Sequence, residues 1–208
     1  MKAKHWLIGA GAVAFVAFLA WGRSNSTLYY VPAGSMSPTI QVNDYIWANP
    51  AAYRNSDPKR GDIAMLDLKN SLTLPGTPHP NDTVLFVKRI VGVPGDKIEI
   101  VNGRLKLNGV WQKEPFAHWD GKYNYSLKVV GNKVYSRDIG GEWACKNVYT
   151  DDQSQLDKAA SNPIPARKYL VLGDNRSNSN DSHVFGFVDR DWIKSRVAYR
   201  ITPNPRSF

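Results

Sequence analysis

The first apolar segment of the chain is the longest uninterrupted one. Residues 6–22 read WLIGAGAVAFVAFLAWG without a charged side chain, and as a helix they would span roughly 25 Å, near the lower limit for crossing a membrane. Trp6 and Trp21 lie at its two ends, where indole rings favour the membrane interface. Lys2 and Lys4 precede it, so the pattern predicts a membrane anchor with a cytoplasmic amino terminus.

A cleavable signal peptide is the alternative interpretation of this segment, because the apolar run is short. Cleavage requires small residues at the first and third positions before the cut, and residues 18–22 (FLAWG) do not supply them. Residues 12–14 (AVA) have suitable types but lie in the middle of the run. We therefore expect an uncleaved anchor over residues 1–23 and a separate extracytoplasmic domain over residues 24–208.

Beyond the anchor, the spacing of apolar residues is that of β-strands. Residues 62–66 and 84–87 contain short apolar runs of strand length. Residues 97–101 and 104–107 alternate between apolar and polar types, and the Asn-Gly pair at 102–103 between them is a strong hairpin signal. The pattern predicts a mainly β fold with an antiparallel, β-rich core.

Two segments interrupt this pattern. Residues 69–82 are rich in Pro, Ser, Thr and Asn, which is typical of a surface loop. Residues 102–165 carry several tryptophans and tyrosines among turn residues, and within them residues 153–160 could form a short helix. We interpret residues 102–165 as a subdomain inserted into the core.

The composition excludes some classes of function. The formal net charge is +9, but the basic residues are scattered, without the motifs of nucleic-acid-binding modules, so we expect no nucleic-acid partner. We interpret the charge as a solvated basic surface, with some attraction to anionic lipid headgroups.

The cysteine and histidine content argues against metal and thiol chemistry. Cys145 is the only cysteine, so neither an intramolecular disulfide nor a cysteine metal site can form. The four histidines, at positions 5, 79, 118 and 183, do not form pairs with ligand spacing. We therefore expect no metal and no cofactor. Cys145 as a nucleophile would need a base, and its neighbours in the sequence offer none.

Residues 32–39 (PAGSMSPT) contain a candidate nucleophile. Gly34 frees the backbone beside Ser35, and Pro38 restricts it, which favours a defined turn around the hydroxyl. Backbone amides in such a turn can stabilise an oxyanion. On its own, however, the segment is more typical of an ordinary loop.

A candidate base follows on a predicted strand. Lys88 lies among apolar residues, and strand alternation places Arg89 on the opposite face. A lysine with the usual pKa of about 10.4 is protonated at neutral pH, but burial lowers this pKa by several units. Taken alone, the pattern favours a lysine that reaches solvent.

Residues 173–183 (GDNRSNSNDSH) form a third polar segment, typical of a surface loop but also suited to orienting a catalytic base. A Ser-His-Asp triad is the alternative to a lysine base. His183 is its best candidate, because it shares this segment with Asp174 and Asp181. The chain has no Gly-x-Ser-x-Gly motif, which speaks against this alternative.

Together and in this order, these segments resemble the conserved boxes of bacterial type I signal peptidases, also called leader peptidases. Residues 34–39 (GSMSPT) are similar to the nucleophile box and residues 60–63 (RGDI) to the short box after it. Residues 88–96 (KRIVGVPGD) are similar to the general-base box. Residues 173–182, with residues 185–188 (FGFV), are similar to the last box.

The resemblance implies a β-rich catalytic domain with a serine-lysine dyad, no metal, and an active site at the outer membrane surface. It implies that Ser35 is the nucleophile and Lys88 the general base. It further implies that Ser179 hydrogen-bonds the lysine and orients it.

The resemblance also implies supporting and substrate-binding residues. Asp181 and Asp174 would brace the site, the latter against Arg89. The substrate would be an extended peptide lying along strand edges, with shallow pockets for small residues. The matching wall candidates are Tyr29, Val31, Pro32, Ile40, Phe86 and Val87.

Two positions depart from the pattern of the family. Many members carry a serine two residues before the nucleophile as an oxyanion donor, whereas this chain has Ala33. The Ser35 amide is then the donor that can be named, and one lost donor can cost roughly 3 kcal/mol. His183 stands where some relatives have an arginine, which suggests a pH-sensitive contact.

The expected function is cleavage of signal peptides from exported preproteins after an Ala-x-Ala-like sequence, at the outer face of the bacterial inner membrane. One alternative is a processing peptidase dedicated to a single substrate, such as a conjugative pilin. Another is a catalytically inactive, membrane-tethered binding protein, against which the intact Ser35 and Lys88 argue.

Overall fold

A computed structural model describes residues 26–68, 85–121, 123–145, 148–149, 152–201 and 206–207. The predicted anchor over residues 6–22 and the predicted loop over residues 69–82 lie outside these ranges. Within them, no helix has the length and apolar character needed to cross a membrane.

The regular structure in the described part of the chain is mainly antiparallel strands, which confirms the predicted mainly β fold. The strands are β1 (Thr27–Tyr30), β2 (Tyr45–Asn49), β3 (Ile63–Asp67), β4 (Leu85–Gly92), β5 (Ile98–Val101), β6 (Arg104–Leu107), β7 (Val110–Trp111), β8 (Tyr125–Val130), β9 (Lys133–Asp138), β10 (Ala144–Cys145), β11 (Val148–Tyr149), β12 (Lys168–Leu172), β13 (Val188–Asp189), β14 (Ile193–Ile201) and β15 (Arg206–Ser207). The helices are α1 (Gln153–Lys158) and α2 (Ser182–Phe185), with 3-10 turns at Pro50–Tyr53 and Arg190–Trp192.

The first sheet carries the candidate site. Its described strands run in the order β1-β2-β14-β3-β4-β12-β13, with β15 paired to β14. Lys88 on β4 lies opposite Ala64 on β3, and the neighbouring Arg89 lies opposite Ile63 and Leu172. The general-base segment is therefore a central strand, flanked on one side by the strand that leads into residues 173–183.

The second sheet lies between β4 and β12 in the sequence, with the described strand order β11-β10-β9-β8-β5-β6-β7. Its β5–β6 hairpin turns at Asn102 and Gly103, both with positive φ (46° and 76°), as the Asn-Gly signal predicts. Because β5 belongs to this sheet, the sheet begins at Ile98, before the inserted segment predicted over residues 102–165. The short helix α1 lies within the segment predicted to be helical.

Three clusters of buried apolar side chains hold the strands together. One cluster packs β5, β8 and β9 against Leu170 and Leu172 of β12, so the second sheet shares a core with the first. Another packs the inner faces of β2, β3 and β14 beneath the Ser35 segment through Met36 and Ile40. Burial of this apolar area is the main force that brings the distant polar segments together.

The outer face of β1, β2 and β14 is unusual, because large apolar side chains are exposed on it. Strand alternation directs Ile46 and Ala48 inward to the core, while their neighbours on the strand face solvent. The registers of the three strands place the exposed residues side by side. They are Leu28, Tyr30, Tyr45, Trp47, Tyr199 and Ile201.

Candidate active site

The Ser35 segment is a tight turn held by its own buried apolar residues. The amide of Ser37 donates to the carbonyl of Gly34 over 3.0 Å, and the amide of Ile40 donates to the carbonyl of Met36 over 2.9 Å. The side chains of Met36 and Ile40 are fully buried. The turn therefore has a fixed position, and it leaves Ser35 half-buried at the wall of a groove.

Lys88 reaches this hydroxyl from β4. Its Nζ lies 2.7 Å from the Oγ of Ser35, and the residue is only 2% exposed. The aromatic ring of Phe86 lies 5.5 Å from Nζ. The structure thus brings together two residues that are 53 positions apart, with a contact short enough for proton transfer.

Burial lowers the pKa of Lys88 from its ordinary 10.5 to about 8, although the nearby carboxylates of Asp181 and Asp174 act in the opposite direction. The ammonium form is disfavoured because it loses hydration inside the protein. At neutral pH an appreciable fraction of this amine is therefore uncharged and able to accept a proton. An ordinary exposed lysine lacks this capacity.

The segment after β12 holds the nucleophile from the other side. The amide of Asn175 donates to the carbonyl of Ser35 over 3.0 Å, and its Nδ2 donates to the carbonyl of Gly34 over 3.1 Å. A Cβ on Gly173 would lie 2.2 Å from the Oγ of Ser179 and 2.4 Å from the Ser35 carbonyl oxygen. Glycine is therefore required for this close approach.

Asp174 and Arg89 form a buried pair beside the nucleophile turn, which is the partnership the resemblance implies. Arg89 donates through Nε and Nη2 to the two carboxylate oxygens, at 2.8 and 2.6 Å. The hydroxyl of Thr39 donates to the same carboxylate over 2.5 Å. Thr39 belongs to the nucleophile segment, so the pair links the turn, β4 and the last segment through charge-assisted hydrogen bonds.

Asp181 is fully buried and begins helix α2. One carboxylate oxygen accepts from the amide of Gly173 over 2.8 Å, and the other lies 2.7 Å from Nδ1 of His183. Burial alone would raise the pKa of Asp181, but His183, the Gly173 amide and Lys88 together lower it below its usual range. The residue is therefore a carboxylate, held in place near the candidate base.

Ser179 differs from what the resemblance implies. It lines the groove beside Lys88, but its Oγ is buried and has no hydrogen-bond partner in the described part of the chain. The amine of Lys88 makes its hydrogen bond with Ser35 instead, while the Ser179 side chain lies against Gly173. The expected Lys88–Ser179 bond is thus not formed in this structure.

A groove of about 610 Å³ opens next to the hydroxyl of Ser35. Most of the predicted wall residues line it; the exception is Ile40, whose side chain is fully buried in the core beneath the turn and offers no surface to a ligand. The predicted residues that line the groove are Tyr29, Val31, Pro32, Phe86 and Val87. Lining residues that the sequence did not indicate include Ile46, Met65 and Leu85.

Glu114 is a further supporting residue that the sequence did not indicate. It forms a two-pronged ion pair with the fully buried Arg176, at 2.6 and 3.0 Å. Next to it, the carbonyl of His118 accepts a hydrogen bond from the amide of Arg176 over 2.9 Å, and the amide of His118 donates to the carbonyl of Asp174 over 2.7 Å. The ring of Phe116 lies 3.9 Å from the Arg89 guanidinium. The segment after β7 therefore braces the loop that holds the nucleophile.

The alternative nucleophile and base do not assemble into a site. His183 bonds Asp181, whereas the hydroxyl of Ser35 bonds Lys88, so the Ser-His-Asp arrangement is not formed. Cys145 lies on β10 of the second sheet and does not line the groove. Among the described residues, no group of His, Cys, Asp and Glu side chains is arranged to hold a metal ion.

A serine hydroxyl bonded to a buried lysine, in a groove of an antiparallel β protein, is the arrangement expected of a serine hydrolase with a lysine base. Comparison with known families agrees. The model of the family described as "Signal peptidase, peptidase S26" matches residues 3–202, and the chain belongs to this family. The protein is therefore a peptidase, and the resemblance seen in the sequence is confirmed.

Individual relatives carry related names. The chain is 34% identical over 199 residues to "Signal peptidase IB" of Staphylococcus aureus (strain COL), covering 96% of this chain and 89% of the relative. It is 33% identical over 177 residues to "Probable signal peptidase I-2" of Synechocystis, covering 85% of this chain and 63% of the relative. The crystal structure of a signal peptidase I from Enterococcus faecalis V583 is 26% identical, with a TM-score of 0.40, and covers 68% of this chain and 97% of that one.

Proposed function

We propose that this protein is a membrane-anchored serine endopeptidase that removes signal peptides from exported preproteins, with Ser35 as nucleophile and Lys88 as general base. The observation that carries the proposal is the 2.7 Å contact between the Ser35 hydroxyl and the buried amine. Membership of the signal peptidase family supports the choice of substrate.

Acylation follows from the position of the two residues. The neutral amine of Lys88 accepts the hydroxyl proton as the Oγ of Ser35 forms a bond to the scissile carbonyl carbon, and the carbonyl electron pair moves to its oxygen. Donors near this oxygen stabilise the negative charge, and the backbone amide of Ser35 is our candidate. As the C–N bond breaks, the ammonium returns its proton to the leaving amine.

Deacylation uses the same base. Water attacks the acyl-enzyme carbonyl while the amine of Lys88 accepts a proton from it, and the Oγ of Ser35 then recovers a proton as the ester bond breaks. Asp174 with Arg89, and Asp181, keep the two reacting groups in place. Ala33 lines the groove and has no hydroxyl that could donate to the oxyanion. Stabilisation of the oxyanion therefore relies on backbone amides at this position.

The groove suits an extended peptide. Its walls come from β1 and the start of β4, together with the residues that follow β1. Among the described strands, β1 lies at the edge of the first sheet, and an extended peptide can pair with the backbone groups of an edge strand while alternate side chains enter pockets. Apolar walls next to Ser35 are consistent with small apolar residues immediately before the cut.

The exposed apolar face of β1, β2 and β14 supports a position at a membrane surface. Tyr30, Tyr45, Trp47 and Tyr199 on this face are residue types that favour the lipid interface. β1 starts at Thr27, shortly after the predicted anchor, so the anchor and this face can contact the same bilayer. The face thus supports contact with the bilayer, and Lys2 and Lys4 before the predicted anchor support an extracytoplasmic position of the catalytic domain at the bacterial inner membrane.

Cleavage of a preprotein by the full chain in detergent, with sequencing of the new amino terminus, tests the proposal. The unmodified protein should cut after an Ala-x-Ala-like sequence. Ser35→Ala and Lys88→Ala should each lower the rate roughly a thousandfold or more while the protein stays folded. Lys194→Ala, which removes an exposed lysine of the first sheet, is the matched control and should keep full activity.

Retained cleavage by either dyad variant would refute the assignment of these two residues. A panel of unrelated preproteins, assayed beside a single pilin precursor, separates a general signal peptidase from a dedicated processing enzyme. If the unmodified protein cuts none of these substrates, the inactive binding protein becomes the better interpretation.

A further inference from the structure

Arg200, near the end of β14, is a buried arginine that the proposed reaction does not yet use. It is 9% exposed, and it lies opposite Ile46 of β2, whose side chain belongs to the core. A guanidinium is costly to remove from water unless its surroundings supply hydrogen-bond acceptors. The acceptors around Arg200 therefore indicate what the residue does.

A shift in the register of β14 directs this side chain inward. The pairing with β2 shifts by one residue between Val197 and Tyr199. Regular alternation from the buried Val197 would place Tyr199 inside and Arg200 outside. The extra residue reverses this order, so Tyr199 is exposed while Arg200 is buried and reaches the Ser35 segment.

The guanidinium contacts the chain at two points after the nucleophile. Its Nη1 donates to the carbonyl of Thr39 over 3.1 Å. Its Nε lies 3.4 Å from Oδ2 of Asp44, a buried carboxylate that also accepts from the amide of Gln41 over 2.8 Å. Arg200 thus joins the end of the Ser35 segment to the loop that leads into β2.

Thr39 is held from two sides as a result. Its hydroxyl donates to Asp174, which pairs with Arg89 on β4, and its carbonyl accepts from Arg200 on β14. The strand β4 also carries Lys88. The two arginines therefore fix the end of the Ser35 segment relative to the strand that carries the candidate base.

We propose that Arg200 is a positioning residue for the nucleophile: it holds the Thr39 carbonyl and faces Asp44, and so fixes the turn that brings the Ser35 hydroxyl to Lys88. Asn175 holds the start of this turn through the carbonyls of residues 34 and 35, whereas Arg200 holds its end. The inference rests on the proposed dyad and adds a residue that supports it.

The position of Arg200 separates its effect on the reacting groups from an effect on substrate binding. The residue does not line the groove, whose walls come from β1, the residues after it and the start of β4. A loss of its contacts should therefore displace the hydroxyl of Ser35 and leave these walls in place. The two effects are seen in different kinetic constants.

Steady-state cleavage of a signal-peptide substrate with an Ala-x-Ala-like sequence, by the full chain in detergent, tests the inference. Arg200→Met keeps an unbranched apolar side chain but removes the donors. We expect kcat to fall roughly 10- to 100-fold, because a displaced hydroxyl meets the base in poor geometry. KM should change by less than about twofold, because the contacts of the substrate with the groove remain.

Urea unfolding of each variant defines conditions in which it is fully folded, and the rates are compared there. An arginine that only stabilises the fold would leave kcat unchanged under these conditions. The matched control is Arg196→Met, which removes an exposed arginine of the same strand and should keep both constants. An unchanged kcat in folded Arg200→Met would overturn the inference, as would a rise in KM that accounts for the whole loss of kcat/KM.

A second variant decides the question if Arg200→Met does not fold, since Asp44 then stays buried without the nearby positive charge. Asp44→Asn combined with Arg200→Met removes both charges together. This double variant should show the same selective loss of kcat. Full kcat in the folded double variant would refute the positioning role.

Ser35→Ala and Lys88→Ala in the same assay separate this inference from the function on which it rests. If either of them cleaves the substrate, the proposed dyad is wrong and the role of Arg200 falls with it. If both are inactive but folded Arg200→Met keeps its kcat, the dyad stands and the role of Arg200 alone is refuted.

Discussion

Replacing Lys88 by methionine should make the folded protein more stable while it abolishes cleavage. Burial lowers the pKa of this amine from 10.5 to about 8, and each unit of such a shift corresponds to about 1.4 kcal/mol. At about pH 7 the buried lysine therefore costs the fold about 3 kcal/mol. Methionine has a similar shape and carries no charge to bury.

The net gain is smaller than this cost, because the substitution also removes the hydrogen bond to Ser35, worth about 1 kcal/mol. We expect Lys88→Met to raise the free energy of unfolding by about 2 kcal/mol at about pH 7. The sign of the pH dependence follows from proton binding. Between about pH 8 and 10.5 the unfolded chain binds more protons than the native one, so the unmodified protein gains stability as the pH rises.

Urea unfolding followed by tryptophan fluorescence, for both proteins in the same detergent, measures this difference. The advantage of the methionine variant should shrink by about 2 kcal/mol between about pH 7 and pH 9.5, because the cost of the buried lysine falls as the pH approaches its ordinary pKa of 10.5. Other titrating groups are shared by the two proteins and cancel. A methionine variant that is less stable at neutral pH, or an advantage that does not change with pH, would refute the reasoning.

Three further predictions follow from the site. The kcat/KM for signal-peptide cleavage should be half-maximal near pH 8 on its acid side, because the pKa of Lys88 is about 8; a profile flat across that region would contradict this role. Gly173→Ala should abolish activity, since its Cβ would lie 2.2 Å from the Oγ of Ser179 and 2.4 Å from the nucleophile's carbonyl oxygen; an unchanged rate would show that the loop can move aside. Glu114→Gln should lower the free energy of unfolding by about 2–4 kcal/mol in urea, because Arg176 stays buried without its carboxylate; an unchanged unfolding midpoint would show that the pair contributes little.

Local patterns predicted the strands well, because alternation and turn chemistry act over a few residues. The Asn102-Gly103 hairpin is the clearest case, since both residues adopt the positive φ that its turn requires. The alternation of strand residues also predicted that Lys88 and Arg89 lie on opposite faces of the strand. It did not reveal which of the two is buried, because that depends on what packs against each face. Both turn out to be enclosed, Lys88 with Ser35 and Arg89 with Asp174.

The site itself depended on the resemblance rather than on periodicity. Ser35 and Lys88 meet across 53 positions of sequence, and no local signal specifies such a contact. Ile40 was wrongly predicted to line the groove, because its position in the sequence does not show that its side chain is buried in the core. Ser179 was expected to bond the lysine, but its hydroxyl is buried against Gly173.

The contribution of the second sheet and of the segment after β7 could not be predicted from sequence. Glu114 reaches Arg176 across 62 positions, from that segment, which carries none of the boxes recognised in the sequence. In the sequence this glutamate cannot be distinguished from a surface residue, because only the folded chain places the buried Arg176 guanidinium next to it. The stacking of Tyr125 on His183 is similar, since it depends on how β8 packs against helix α2.

Direct titration of the Lys88 side chain by NMR is the closest test of the central claim, that burial lowers the pKa of this amine far enough for it to serve as the base beside the Ser35 hydroxyl. The full chain, labelled with ¹³C at lysine Cε, is titrated in detergent, and the signal absent from the Lys88→Met spectrum identifies the residue. We expect a midpoint near pH 8, well below those of the exposed lysines. A midpoint near 10.5, together with the exposed lysines, would mean that the amine is an ordinary ammonium and cannot serve as the base.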